Sequence, residues 1–98
     1  MSASITVGIP FFSKTISEQF QAAVDSVLAQ SLQPDEVHLI QDGPVSEELS
    51  KVVKTYVESF SYIKHLIIEH NSGLAHAINF SILNTTSECY ARMDSDDI

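Results

Sequence analysis

The chain has a single cysteine, three glycines, five basic residues and no long apolar run among its 98 residues. Each scarcity closes off a class of protein. With only Cys89, an internal disulfide and a CxxC zinc motif are both excluded. Cys89 falls inside a short strand-like segment, where a small buried thiol is the plainer reading than a nucleophile. Five Lys and Arg against thirteen Asp and Glu give a formal net charge of −8, the wrong sign for general binding to nucleic acid or anionic membrane. No apolar stretch reaches the roughly 18–20 residues needed to cross a bilayer. The start, "MSASITVGIPFF", lacks a basic region followed by a sustained apolar run, so a cytoplasmic protein is expected.

What is present is ordinary for one small globular domain, 44% hydrophobic, and strongly patterned. "ITVGIP" (5–10) is β-branched and closed by Pro10, which fits a strand whose exit must stop pairing. Thr15 and Glu18 stand at capping-box spacing, and Phe20, Val24, Val27 and Leu28 mark one helical face ending near Ser31. "EVHLIQ" (36–41) predicts a second strand, stopped by the turn formers of "QDGP". Ser46 can cap a second helix, whose apolar stripe runs from Leu49 to Phe60. "IKHLIIE" (63–69) and "ECYARM" (88–93) read as strands. Between them "LAHAINFSIL" (74–83) reads as a helix apolar on most of its circumference, and so well buried.

The order β-α-β-α-β-α-β predicts a three-layer α/β/α domain around a mostly parallel sheet, Rossmann-like. In such sheets ligands bind beyond the carboxyl ends of the strands. Those ends carry "PFFSK", "QDGP", "HNSG" and "DSDDI", so Asp42, Asn71, Asp94 and Asp96 are expected at one edge. Aspartates two apart in an extended segment point the same way and can share a cation, and a hard divalent ion bridges carboxylate and diphosphate oxygens. A solvated acidic end accounts for the same triplet. Asp42 and Gly73 also fit simple turns, and His76 fits an exposed surface position. Asn79 is an unfavourable mid-helix residue, which needs either solvent or a specific partner. Arg92 beside the acidic cluster reads either as the ion-pair partner of a neighbouring acid or as a cation facing a diphosphate.

Taken together, "VGIPFFSK", "AVDSVLAQSLQPDEV", "LIQDGP", "HNSGLAHAIN" and "ARMDSDDI" resemble the N-terminal part of a family 2 glycosyltransferase of the GT-A fold. The likeness covers essentially the whole chain. It implies the donor half of an enzyme that moves a sugar from a nucleotide-sugar, a UDP-sugar first, to an acceptor hydroxyl in polysaccharide or cell-surface glycan synthesis. By the same resemblance Pro10, Phe11 and Phe12 line the nucleotide pocket, and Asp42 contacts the base. Asn71, Gly73 and Asn79 shape the floor. Asp94 lies near the ribose or the metal, and Asp96 is the principal ligand of Mn2+ or Mg2+. Gln41 stands where many relatives have an acid, and Ile78 where many have an arginine.

The family's acceptor-binding half and catalytic base follow the DxD, so residues 1–98 are expected to be one donor subdomain truncated at that motif and inactive alone. No catalytic residue is assigned within it. A parent enzyme would work in the cytoplasm or at the cytoplasmic face of a membrane, and surface left bare by truncation would favour self-association. Two other readings remain: a metal-dependent phosphatase of haloacid-dehalogenase type, and a non-catalytic interaction fragment.

Overall fold

The computed structural model describes residues 4–31 and 33–94. Seven elements alternate along the chain: β1 (Ile5–Phe11), α1 (Ser17–Leu28), β2 (Glu36–Asp42), α2 (Glu47–Ser59), β3 (Ile63–Ile68), α3 (Leu74–Leu83) and β4 (Cys89–Arg92). All pairings are parallel, in the order β3-β2-β1-β4. The chain therefore steps outward from β1 through β2 to β3, then returns to the other side of β1 for β4. This reversal creates a switch point between β1 and β4, where the connections leave the sheet in opposite directions.

Alternation along each strand divides the side chains between two faces. Val7, Ile9, Phe11, Val37 and Leu39 join Phe20, Val24 and Val27 of α1 and Leu49 and Val53 of α2 in one apolar core. The Phe11 and Phe20 rings meet at 4.8 Å, and the Tyr56 hydroxyl donates to Asp25 Oδ1 at 2.6 Å, tying α2 to α1. On the opposite face α3 packs on β1 and β2. There the buried residues are Thr6, His38, Ile40 and Asp42, with Ala77 and Ser81 of the helix. Gly8 lies in the same row, and a Cβ at this position would come within 1.8 Å of the Tyr90 hydroxyl. A side chain there would displace the Tyr90 ring.

This second face is held by directed polar contacts. His38, fully buried, places Nδ1 2.7 Å from Ser81 Oγ and Nε2 against Glu36 Oε1. Thr6 Oγ1 shares hydrogen bonds of 2.7 Å with the Thr85 and Ser87 hydroxyls, fastening the α3–β4 connection. Burial pushes the Tyr90 phenol pKa up, partly offset by the Ser81 hydroxyl beside it.

Three local expectations need correction. Thr15 does not cap α1: its hydroxyl accepts from the Phe12 N–H at 2.9 Å and closes the turn before the helix, which starts after Ile16 without a side-chain cap. Ser46 does cap α2, accepting from Leu49 N–H at 3.2 Å. Helix α3 is not well buried. Only Ala77 and Ser81 are buried, against a sheet face on which β1 and β2 make its main contacts, and Leu74, Ile82 and Leu83 are exposed. Cys89 is exposed as well, since β4 is an edge strand. No helix among the described residues is long and apolar enough to cross a membrane.

Candidate functional site

A cleft of about 360 Å3 opens at the carboxyl edge of the sheet, lined by Pro10, Phe11, Phe12, Asp42, Asn71, Gly73, Leu74, Ala77 and Asp94. It sits at the switch point, fed by the exits of β1, β2 and β4 and by the β3–α3 turn. Pro10 suits its position. The Gly8 carbonyl accepts from Met93 N–H, so residues of this row turn their backbone toward β4, and β4 has ended by the level of Pro10. The missing N–H costs no ladder bond there. Phe11 borders the cleft from within, its ring committed to the core. Phe12 stands on the rim, 37% exposed, fixed by the turn that Thr15 closes.

Asp42 is only 6% exposed, and both oxygens of its carboxylate bind the β3–α3 turn. Oδ1 accepts from the Ser72 N–H at 2.8 Å and the Ser72 hydroxyl at 3.0 Å; Oδ2 accepts from the Gly73 N–H at 2.9 Å. Gly43 and Gly73 both have positive φ, 85° and 95°, which a side chain rarely tolerates. Behind Asp42, the Gln41 amide donates to the Gly43 carbonyl at 3.1 Å, and its oxygen lies 2.9 Å from His65 Nε2. His65 also stacks on Phe11, and burial holds its pKa below the usual histidine value.

Asp94 closes the cleft from β4 and pairs with Arg92, the plainer of the two readings of that arginine. Nη2 donates to Oδ2 at 3.3 Å, while Nε lies 3.1 Å from Oδ1 without hydrogen-bond geometry. Asp94 Oδ1 is thus a shielded carboxylate oxygen beside the cleft with an acceptor position left over. A carboxylate oxygen of this kind fits a hard divalent cation. Among the described residues no group of three or more His, Cys, Asp or Glu could hold a metal ion. Asp96, the expected principal ligand, and Asp97 lie outside the described residues.

The cleft gathers Pro10, Phe11, Phe12, Asp42, Asn71, Gly73 and Asp94. It does not include Asn79, which is exposed on α3 two residues past the inward Ala77. Sequence reasoning overlooked Leu74 and Ala77, which form the apolar wall, and Ser72, which binds Asp42. The signal for the wall was present: an apolar first helical turn directly after a polar turn at the ligand-binding edge.

A sequence model of glycosyl transferase family 2 matches residues 6–98. The chain belongs to this family. Among similar proteins, this family 2 chain is 37% identical over 93 residues to the amylovoran biosynthesis glycosyltransferase AmsE of Erwinia amylovora. That alignment takes in 95% of the chain and 35% of the relative. A UDP-Gal:alpha-D-GlcNAc-diphosphoundecaprenol beta-1,3-galactosyltransferase of Escherichia coli is 37% identical over 76 residues, 78% of the chain and 27% of that enzyme. The chain thus spans between about a quarter and about a third of the length of these two relatives. Among solved structures, the mannosyltransferase PcManGT from Pyrobaculum calidifontis, in complex with GDP-Man and Mn2+, superposes with a TM-score of 0.75. It is 20% identical, and the match covers 98% of this chain and 28% of that one. The fold is therefore that of a GT-A glycosyltransferase, and the family match favours the transferase over the phosphatase reading.

Proposed function

We propose that this family 2 domain is the donor-binding half of a glycosyltransferase that transfers a sugar from a nucleotide-sugar to an acceptor hydroxyl, in polysaccharide or cell-surface glycan synthesis. The observation that carries the reading is the composition of the cleft at the switch point. It combines aromatic and apolar walls (Phe12, Leu74, Ala77) with polar groups from three connections. A nucleotide has the matching chemistry, with an apolar base face, a polar ribose and a diphosphate. The names of the two relatives, an amylovoran biosynthesis glycosyltransferase and a UDP-Gal-dependent galactosyltransferase, support polysaccharide or glycan synthesis from a nucleotide-sugar donor.

On this reading Pro10 and Phe12 pack against the nucleoside, and Asn71 and Gly73 shape the floor. Asp94 and Asp96 would hold Mn2+ or Mg2+. Bound there, the ion would offset charge developing on the departing nucleoside diphosphate. Arg92 holds the Asp94 carboxylate in place by its side-on ion pair. We assign the acceptor site and the general base to parts of the parent enzyme outside this chain, because deprotonation of the acceptor needs a base on the far side of the sugar.

Calorimetric titration of UDP with and without Mn2+ tests the reading, against the wild type and Asp96→Ala, with circular dichroism confirming that both fold. Metal-dependent binding lost in the variant is expected. A folded chain that binds none of UDP, GDP, CDP or dTDP would remove the donor site from this half.

A further inference from the structure

The two turns at the floor of the cleft are built as one unit. The Asp42 carboxylate takes three donors from Ser72 and Gly73. The adjoining Gly43 donates its N–H to the Ile68 carbonyl at 2.9 Å. A Cβ at Gly43 would approach the Asn71 backbone nitrogen to 2.9 Å. Helix α3 has no side-chain cap of its own, since Gly73 occupies the N-cap position. Asp42 reaches from another strand to bind the Ser72 and Gly73 N–H groups just ahead of the helix, fixing where its first turn begins. Four lone-pair positions exist on a carboxylate, and three are already taken.

We propose that Asp42 is a positioning residue: it clasps the 71–73 turn to the 42–43 turn and so sets the cleft wall formed by Asn71, Gly73 and Leu74, acting on the nucleotide through that wall. This rests on the donor-site reading of the cleft. The clasp predicts that loosening the turn weakens every nucleotide alike, whatever its base. A carboxylate that reads the base would discriminate instead, because uracil and guanine present ring N–H donors where cytosine presents an acceptor.

The test uses the whole 98-residue chain, isotopically labelled, with UDP, GDP and CDP plus Mn2+ as probes. Amide hydrogen exchange reports the turn, and calorimetry reports affinity. In Asp42→Asn, the Ser72 and Gly73 amides should lose protection, and affinity for all three nucleotides should fall in parallel by roughly tenfold, the scale of one charge-assisted hydrogen bond. Gly43→Ala keeps the carboxylate but forces the turns apart, and should give the same parallel loss. Retained protection in Asp42→Asn would overturn the proposal. So would a loss confined to one base, with Gly43→Ala binding like the wild type; the fourth acceptor position would then be reading the base. Should Asp42→Asn fail to fold, Ser72→Ala removes one donor only, and a smaller parallel loss is expected; unchanged affinity there would also count against the clasp. If the wild type binds none of the probes, the donor-site reading falls, while exchange in the variants still decides whether Asp42 holds the turn.

Discussion

The two faces of the sheet are held by different physics. Toward α1 and α2 the strands present Val7, Ile9, Phe11, Val37 and Leu39, and the contact is apolar throughout. Toward α3 the same strands present Thr6, Gly8, Pro10, His38 and Asp42 beside the apolar Ile40, and hydrogen bonds with named partners on α3 and its two flanking connections direct the contact. Apolar burial is non-directional and roughly proportional to area, so it stabilises without fixing one arrangement closely. Hydrogen bonds demand distance and angle, and leaving one unmade in the interior is costly. The face that needs accuracy is the one with the cleft, because α3 carries Leu74 and Ala77 into it.

The sharpest way to break this contrast is a deletion in the apolar layer. Leu39→Ala removes a fully buried side chain between the sheet and the two helices. A loss of about 2–5 kcal/mol is expected, a large share of a stability of about 5–15 kcal/mol. Urea denaturation would measure it, and a cost near zero would mean that this face is not the main store of stability. Next in size is the polar layer. His38→Leu and Ser81→Ala should each cost about 1–3 kcal/mol by stranding a buried partner, and the double variant should cost less than their sum. Strict additivity in that cycle would show that the His38–Ser81 contact is incidental.

The smallest effect concerns His65, the titratable group stacked on Phe11 on the apolar face. Its folded pKa lies below the ordinary 6.5, because burial penalises the charged ring. The neutral form is favoured in the fold, so its contribution is present above pH 6.5 and is lost as pH falls through the lowered folded value. Unfolding midpoints between pH 7.5 and 5.5 should therefore fall more steeply in the wild type than in His65→Gln. Parallel curves would place the pH dependence elsewhere.

Much of this arrangement was legible in the sequence because it depends on short-range pattern. The β-α-β alternation gave all seven elements, and a parallel sheet sends every strand exit to one edge, which is why residues from "PFF", "QDG", "NSG" and "MD" meet. What depended on tertiary surroundings was not legible. The apolar composition of "LAHAINFSIL" implied burial, but composition does not say how much of a helix the sheet beneath it covers, and Leu74, Ile82 and Leu83 stay exposed. The family resemblance implied Asn79 at the floor of the cleft, whereas its position on the helix, two past Ala77, leaves it exposed, the solvent alternative that a mid-helix Asn allows. His38 had an inward position by alternation, yet its partner Ser81 comes from a helix 43 residues later. Asp42 had its place at the cleft, but the commitment of its oxygens to Ser72 and Gly73 belongs to a turn that no local signal connects to it.

Gly8 and Tyr90 carry a consequence for how accurately the chain assembles. Among the described residues strand β4 pairs with β1 alone and is only four residues long, so few ladder bonds oppose a shifted docking. A one-residue slip would take Tyr90 out of the space over Gly8 and turn it to the opposite side, and would displace Asp94 by about 3.3 Å. The bare glycine thus works as a keyhole for the Tyr90 ring, favouring one alignment of β4 and with it one depth for Asp94 at the rim. A side chain at position 8 would blur the placement of Asp94 from the other end of the strand, without touching the cleft.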